Sequence, residues 1–577
     1  MPETASNPAA EIEPVTSEEF AAATKTLLEG VPQFACSEQT IRGVTYERVF
    51  NLSALSLREV LAARAAENAD KTAIVYEDER LTTAEVWGRA QRFANWLHGR
   101  GVGQGDRVAL AMRNYPEWLI AYLGIVSSGA CVVPLNAWWQ AGELQDGLRR
   151  SSAKTVVVDA KRGERLAEVK DAFGLTVIGA REEVASADHT LGDIVADEAL
   201  PDTPPPVAID PESDFALMFT SGSTGAPKGA VMTHRSVVSA ILSWSFQLEA
   251  YKLMRPDFPF VPENPGMLLS LPLFHVTASH AVALLSFLTG RKLVMTYRWD
   301  AEEAARLIEA EAITNFVGVP TMAYDLIRAA KPGQLDTMVD IGTGGAKRPE
   351  TQRAVQRETL PAIAASSGYG LTETNGLGTV ITLSDYDLRP SSTGRTIPPV
   401  TQIACFAEDG VRLPDGETGE ICIRSPAVFK GYMDDEAATE AAFHPDGWFR
   451  TGDLGRIDGN GFVYILDRLK DIIIRGGENI ACLEVENALL AQDGVDEASV
   501  FSVPDESLGE RVGAVVWGRG EVDLEAVRAG AAAQLAAFKV PERMWLAPAP
   551  LPRGNTGKTD KRTTRRMALE VPPHLSA

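Results

Sequence analysis

The segment TSGSTGAPKG (220–229) directly follows an apolar run, FALMFT (215–220). Its ten residues include three glycines, two serines and two threonines, which makes a loop dense in N–H and O–H donors. Lys228 adds a cation. A polyphosphate carries several charges and needs many donors converging at close range, and glycine lets the backbone come near the ligand. The expected chemistry is polyphosphate binding by Thr220, Ser221, Gly222, Ser223, Thr224, Gly225 and Lys228. A Gly/Ser-rich surface turn is the plain alternative. The order of the residues, placed after a strand and ending in Pro-Lys-Gly, argues for the phosphate site. The spacing is not GxxxxGK[ST], because Gly229 follows the lysine. A nearer match, LPRGNTGKT (551–559), has Pro552 where the first glycine of that pattern belongs. No helix-and-sheet domain follows it, which excludes a P-loop NTPase.

Such a loop needs a rigid frame. The chain has 577 residues, too many for one compact core, so at least two domains are expected. Hydrophobic residues make up 45% and charged residues 23%, an ordinary globular balance. The net charge of −23 argues against a broad nucleic-acid surface. The acidic N-terminus lacks an apolar stretch and reads as no signal peptide. The run Trp118–Leu135, interrupted by Gly124, Ser127, Ser128 and Gly129, reads as a buried helix and a strand rather than a membrane span. Five scattered cysteines without CxxC spacing argue against a disulfide scaffold or structural zinc and fit a reduced cytoplasmic protein. His275 and His280, five apart, do not share a helical face.

Strand-like runs TAIVYE (72–77), RVALAM (107–112), KTVVVD (154–159), LLSLPLFH (268–275), TNFVGVP (314–320) and DTMVDIGTGG (336–345) are separated by helical stretches. This predicts a mostly parallel sheet. After about Gly394, Asp-Gly pairs punctuate short apolar runs, predicting an antiparallel β region over 395–466. An α+β segment then follows, with helices at 483–491 and 524–538 and strands at 497–503 and 511–518.

TSGSTGAPKG resembles the phosphate loop of the adenylate-forming superfamily, in its acyl-CoA synthetase branch. SGYGLTET (367–374), WFRTGD (448–453), DRLKDIIIRGGENI (467–480) and PRGNTGKTDKR (552–562) resemble its other motifs, in the expected order. The resemblance covers roughly 55–565. It implies an N-terminal extension (1–50) and a large N-terminal domain (51–466) of two α/β lobes plus a small β-barrel-like subdomain (about 395–466). A hinge (467–471) and a small mobile α+β C-terminal domain (472–577) complete the expected fold.

The roles that follow are what the resemblance implies. Thr220 to Lys228 wrap the β- and γ-phosphates of ATP. Gly344, Gly345 and Ala346 line the adenine and acyl pockets. Tyr369 stacks on adenine, within the nucleotide segment Gly368, Tyr369, Gly370, Leu371 and Thr372, and Thr372 touches the α-phosphate. Glu373 and Thr220 hold Mg²⁺, a hard cation that prefers oxygen ligands. Asp453 accepts the ribose hydroxyls and Arg468 assists. Lys558 compensates charge at the α-phosphate and the acyl oxygen, Lys470 is the pivot, and Gly476 and Gly477 approach a pantetheine tunnel. Taken singly, Glu373 reads as a solvated carboxylate, Asp453 as a turn residue and Lys558 as a mobile lysine.

LPLFHVTA (271–278) resembles the acyl-pocket motif, with His275 as the pocket residue and Ser279, Gly318, Gly345, Gly370 and Thr374 nearby. A buried core histidine is the alternative for His275. Val276, Thr277, Ala278 and Ser279 stand where amino-acid-activating relatives carry an aspartate, which favours an acid without an α-amino group. Lys347 and Arg348 depart from the family pattern and read either as surface charges or as contacts to adenine or an acidic substrate group. Coenzyme A is the expected thiol acceptor. A ligase loading a separate carrier protein, a luciferase-like oxygenase and a non-catalytic nucleotide-binding protein are the alternatives. Monomer and homodimer both fit.

Overall fold

A computed structural model describes residues 13–220, 227–258, 264–346, 348–554 and 559–576. These residues carry four β-sheets. One sheet has eight strands, in the order Gly431–Tyr432, Lys228–Thr233, Asp214–Thr220, Cys131–Pro134, Arg107–Ala111, Thr155–Val158, Thr176–Gly179 and His189–Thr190. From Asp214–Thr220 to His189–Thr190 its strands run parallel. A larger sheet of fourteen strands has a parallel half, Thr72–Tyr76, Lys292–Met295, Gly266–Leu269, Asn315–Gly318, Asp340–Gly344 and Ala364–Gly370. These two sheets are the two α/β lobes.

The helix Pro116–Ser127 joins the lobes. It is apolar on every face and buried along nearly its whole length, within one core cluster that takes Val108, Val132 and Phe215 from the smaller sheet and Leu268, Val294 and Phe316 from the larger. Pro116 opens it, where a missing N–H costs nothing. The apolar run at 118–135 is therefore a buried helix and the strand Cys131–Pro134.

Beyond Ala364–Gly370 the large sheet turns antiparallel, through Gly378–Thr382, Gly394–Thr396, Phe462–Arg468, Trp448–Ile457, Gly419–Arg424 and Gln402–Phe406. The expected barrel-like subdomain is not a closed barrel. Its strands extend the large sheet through the pairing of Gly394–Thr396 with Phe462–Arg468 and end at an open edge strand, Gln402–Phe406, whereas a barrel closes on itself and has no edge.

Residues 13–50 form a helix and a separate two-stranded sheet, tied to the large sheet by Arg395 and Arg424, which donate to the carbonyls of Val15 (2.7 Å) and Thr45 (2.5 Å). Helix Ser17–Gly30 starts with a Thr16–Glu19 capping box, and the hairpin Cys36–Ile41/Val44–Phe50 follows. Arg42 donates to the carbonyls of Phe429 (2.9 Å) and Val428 (3.0 Å).

The last sheet, six strands between Ile473 and Ser576, has its own core of Ile480, Val485, Leu489, Val500, Val512, Val516 and Met544. Two expected elements are shorter than the sequence suggests. The strand at 268–275 ends at Leu269, because Pro272 has no N–H to offer a ladder and the chain turns there, His275 N–H donating to the Pro272 carbonyl. The helix at 524–538 stops at Ala532 and gives way to a tight turn at Ala537–Lys539, which packs Leu535 and Phe538 on the core.

Candidate active site

The carboxyl ends of Asp340–Gly344 and Ala364–Gly370 supply the first group of site residues. Gly344 and Gly368 pair in register. A Cβ on Gly344 would meet the Gly368 carbonyl at 3.7 Å, so two glycines side by side leave bare backbone there. Gly345 holds φ +76° and, with Ala346, is exposed. Gly370 has a different reason to be glycine. A Cβ there would meet the Gly376 carbonyl at 2.4 Å, where the chain folds back.

That return is a tight turn, Thr372–Thr374. The Thr374 hydroxyl accepts from Leu371 N–H (3.0 Å) and donates to the Leu371 carbonyl (3.1 Å), so its bonds serve the turn. Asn375 follows at φ +55°, a conformation asparagine tolerates better than most residues. It donates to the Ala427 carbonyl (2.7 Å) and to Ser236 (3.2 Å), and its Oδ1 pairs with His280 Nδ1 (3.1 Å). His280 Nε2 pairs in turn with the Tyr122 hydroxyl (2.8 Å). This buried chain clamps the turn that carries Thr372 and Glu373. Sequence reasoning missed it; a polar Asn after the motif and a His in an apolar run were its signals.

Glu373 is buried, and burial raises its carboxyl above the usual range, opposed by the Tyr432 hydroxyl and by the charges of Arg468 and Lys228. Tyr432 donates to Glu373 Oε1 at 3.0 Å, and Lys228 Nζ lies 4.8 Å from the centre of the Tyr432 ring. Thr220 and Lys228 are cross-strand partners, and the Thr220 hydroxyl points at the Lys228 carbonyl (3.4 Å). The donors here are a carboxylate and hydroxyls, all oxygen, which fits a hard divalent cation. Such a cation would also relieve the cost of an ionised carboxylate at this depth.

Asp453 is 3% exposed. Its Oδ2 accepts from the Tyr369 hydroxyl at 2.6 Å, and its Oδ1 pairs with Arg468 Nε at 2.7 Å. Burial, then the Asp453 charge, holds the Tyr369 phenol well above its usual range, so it stays a donor. An ionised carboxylate only accepts, so its natural further partners are hydroxyl donors such as those of a diol.

The structure places other expected residues as follows. His275 is half-buried, its ring 4.4 Å from that of Phe274. Ser279 is buried and donates to the His275 carbonyl (3.0 Å). A Cβ on Gly318 would strike the Phe316 ring at 2.6 Å. Arg348 is not a surface charge: it is 2% exposed and donates to Gln356 (2.7 Å), which donates to the Ala364 carbonyl at the far end of its strand from Tyr369. Lys470 is exposed in a tight turn, Leu469–Asp471. Gly476 (φ +58°) and Gly477 (φ +91°) form the two-residue turn of the hairpin Ile473–Arg475/Glu478–Ile480, and two positive φ values in a row demand glycine for the turn alone. Ser221, Gly222, Ser223, Thr224, Gly225, Lys347 and Lys558 lie outside the described residues.

Glu420, Cys422 and His444 bring metal-binding atom types within 4.8 Å of one another among the described residues. The Glu420 carboxylate, however, already accepts from Arg450 (2.9 Å) and Gly452 N–H (3.1 Å).

Residues 61–433 match the model of the AMP-binding enzyme family, and residues 484–558 match that of the AMP-binding enzyme C-terminal domain. The chain belongs to the AMP-binding enzyme family. Among its relatives, a long-chain-fatty-acid–CoA ligase of Mycobacterium tuberculosis is 34% identical over 86% of this chain and 95% of its own. A feruloyl-CoA synthase of Streptomyces is 33% identical over 87% and 97%. In structure the chain resembles ATP-bound MatB from Rhodopseudomonas palustris, with TM-score 0.78 and 28% identity over 89% of this chain and 99% of that one. It also resembles the o-succinylbenzoate coenzyme A synthetase of Bacillus subtilis in complex with ATP and magnesium, with TM-score 0.75 and 26% identity over 88% and 99%. The chain is an AMP-forming acid–thiol ligase of the acyl-CoA synthetase branch. No helix of the described residues is long and apolar enough to cross a membrane.

Proposed function

We propose that this chain couples ATP to a carboxylic acid lacking an α-amino group (fatty, aryl-alkanoic or aromatic), releasing pyrophosphate and forming an acyl-adenylate, and then transfers the acyl group to coenzyme A. The observation that carries the reading is the junction of motifs far apart in sequence. Tyr369 by a hydrogen bond and Arg468 by an ion pair converge on Asp453, while Lys228, Tyr432 and Glu373 meet beside the end of strand Asp214–Thr220.

In this reading the bare backbone at Gly344 and Gly368 and the ring of Tyr369 receive the adenine, and Asp453 accepts from the ribose hydroxyls. Lys228 and the loop before it take the outer phosphates. Glu373 and Thr220 hold Mg²⁺, which when bound offsets phosphate charge. Lys558 stabilises charge at the α-phosphate as the carboxylate attacks and pyrophosphate leaves. Donors fixed in place where charge develops lower a barrier without reorganising. His275 and Ser279 lie on the segment assigned to the acyl pocket. A hinge at 467–471, pivoting on Lys470, turns the segment from 472 onward between the two half-reactions.

The test is pyrophosphate release over a panel of fatty, aryl-alkanoic and aromatic acids, with and without coenzyme A, alongside assay of the thioester. Acid-dependent pyrophosphate release, with thioester formed only when coenzyme A is added, is the expected result. Stimulation by no acid would leave a nucleotide-binding protein. Acyl transfer to a carrier-bound pantetheine but not to coenzyme A would favour a carrier-loading ligase.

A further inference from the structure

The aspartate assigned to the ribose stands on an irregularity of the sheet. Strands Gly419–Arg424 and Trp448–Ile457 pair antiparallel, with Glu420 opposite Leu454 and Cys422 opposite Arg450. Between those pairs a single residue, Ile421, faces three: Thr451, Gly452 and Asp453. Gly452 sits at φ +71°. Extra residues of this kind break the ladder locally and re-aim side chains, and they leave backbone groups without ladder partners.

Here side chains take over those groups. The Thr451 hydroxyl donates to the Ile421 carbonyl (2.7 Å) and accepts from Asp453 N–H (3.1 Å). Glu420 is 8% exposed. Its Oε1 accepts from Gly452 N–H (3.1 Å), and its Oε2 takes both Nε and Nη2 of Arg450 (2.9 Å each). One carboxylate therefore grips the bulge at its entry, Arg450, and at its apex, Gly452. Asp453 is the next residue, already drawn on by Tyr369 and Arg468.

We propose that Glu420 is a positioning residue for the nucleotide ribose, holding the bulge 451–453 so that Asp453 presents its carboxylate to the ribose hydroxyls. The proposal rests on the reading of Asp453 as the ribose acceptor. Exchanging Glu420 for glutamine preserves shape, but an amide cannot accept on both sides. Either Gly452 N–H or the Arg450 fork then faces a donor, and the bulge loses one of its two anchors. The consequence is a fault in aim, felt by the ribose hydroxyls and not by the nucleotide as a whole.

The experiment is calorimetric titration of the full chain with Mg²⁺–ATP, 2′-deoxyATP and 3′-deoxyATP, which needs no knowledge of the acid. The native chain should bind ATP about tenfold or more tighter than the deoxy analogues, the scale of a hydrogen bond to a charged group. Glu420→Gln should weaken ATP about tenfold and the analogues little, bringing the ratio towards one. Thr451→Val, which removes the other anchor, should do the same. An unchanged ratio in both variants, whether or not their unfolding temperatures fall, overturns the proposal, since a purely structural role lowers stability without touching discrimination. Asp453→Asn separates the two layers. If it abolishes the preference while Glu420→Gln and Thr451→Val keep it, the positioning role alone fails. If Asp453→Asn keeps the preference, the ribose reading fails and the proposal with it.

Discussion

The two ends of the strands Asp340–Gly344 and Ala364–Gly370 differ in kind. At the carboxyl ends stand Gly344, Gly345, Gly368 and Tyr369, with few charges and much bare backbone. At the amino ends stands a buried group of ionisable and polar side chains. Asp340 accepts from Ser366 (2.8 Å), Arg348 bonds Gln356, and Arg353 pairs with Asp387. A search for charged clusters would choose the amino ends. The proposed site lies at the carboxyl ends, where parallel strands open a crevice and the connecting loops carry the side chains. Density of charge marks how the fold is tied together; convergence of donors on open backbone marks where a ligand fits.

Four variants sharpen or break this contrast. Lys558→Ala should lower acid-dependent pyrophosphate release about 10²–10³-fold and largely spare thiolysis of supplied acyl-adenylate. Equal loss of both half-reactions would remove its assigned role. Asp453→Ala strands the Tyr369 hydroxyl and Arg468 and should raise the ATP concentration for half-saturation about 10–100-fold; an unchanged value would detach the carboxyl ends from nucleotide binding. Lys470→Pro should slow thioester formation about tenfold relative to adenylation, because proline fixes φ at the pivot. Parallel loss of both steps would argue against a hinge there.

Asp340→Asn should leave activity unchanged and alter only the pH dependence of stability. Burial pushes the Asp340 carboxyl up to about 7, against the pull of Ser366, Arg348 and Arg291. Between the ordinary aspartate range, about pH 4, and pH 7 the folded chain holds a proton that the unfolded chain has released. Stability therefore falls as pH rises through that window, by about 1.4 kcal/mol per unit. The asparagine variant should show a flatter profile by denaturant titration at pH 5, 6 and 7. A loss of turnover in it would mean that the amino ends serve the reaction after all.

Much of the candidate site could be proposed from the sequence because its parts are short motifs with local reasons. TSGSTGAPKG, SGYGLTET and WFRTGD announce themselves by glycine and by donors at fixed spacing. The apolar run Trp118–Leu135, with its small-residue interruptions, announced the buried helix and the strand after it. Other features were not legible, because they depend on partners distant in the chain. Nothing near Arg348 says that it folds inward onto Gln356. The antiparallel β region expected over 395–466 is there, but that it extends the large sheet and does not close on itself depends on Gly394–Thr396 meeting Phe462–Arg468, a pairing of distant edges. The Gly476–Gly477 pair, read as room for a thiol arm, has a hairpin of its own to explain it.

By itself the sequence determined the family and the order of the motifs, and it suggested a chemistry for each, since backbone freedom at glycine, hydroxyl donors and fixed charges are properties of residue type. Tertiary structure alone decided that Tyr369 and Arg468 share Asp453, that Tyr432 donates to Glu373, and that Glu420 grips the bulge next to Asp453. Those pairings arise from sheet register and from the closing of long loops, and neither is written into any local stretch of chain.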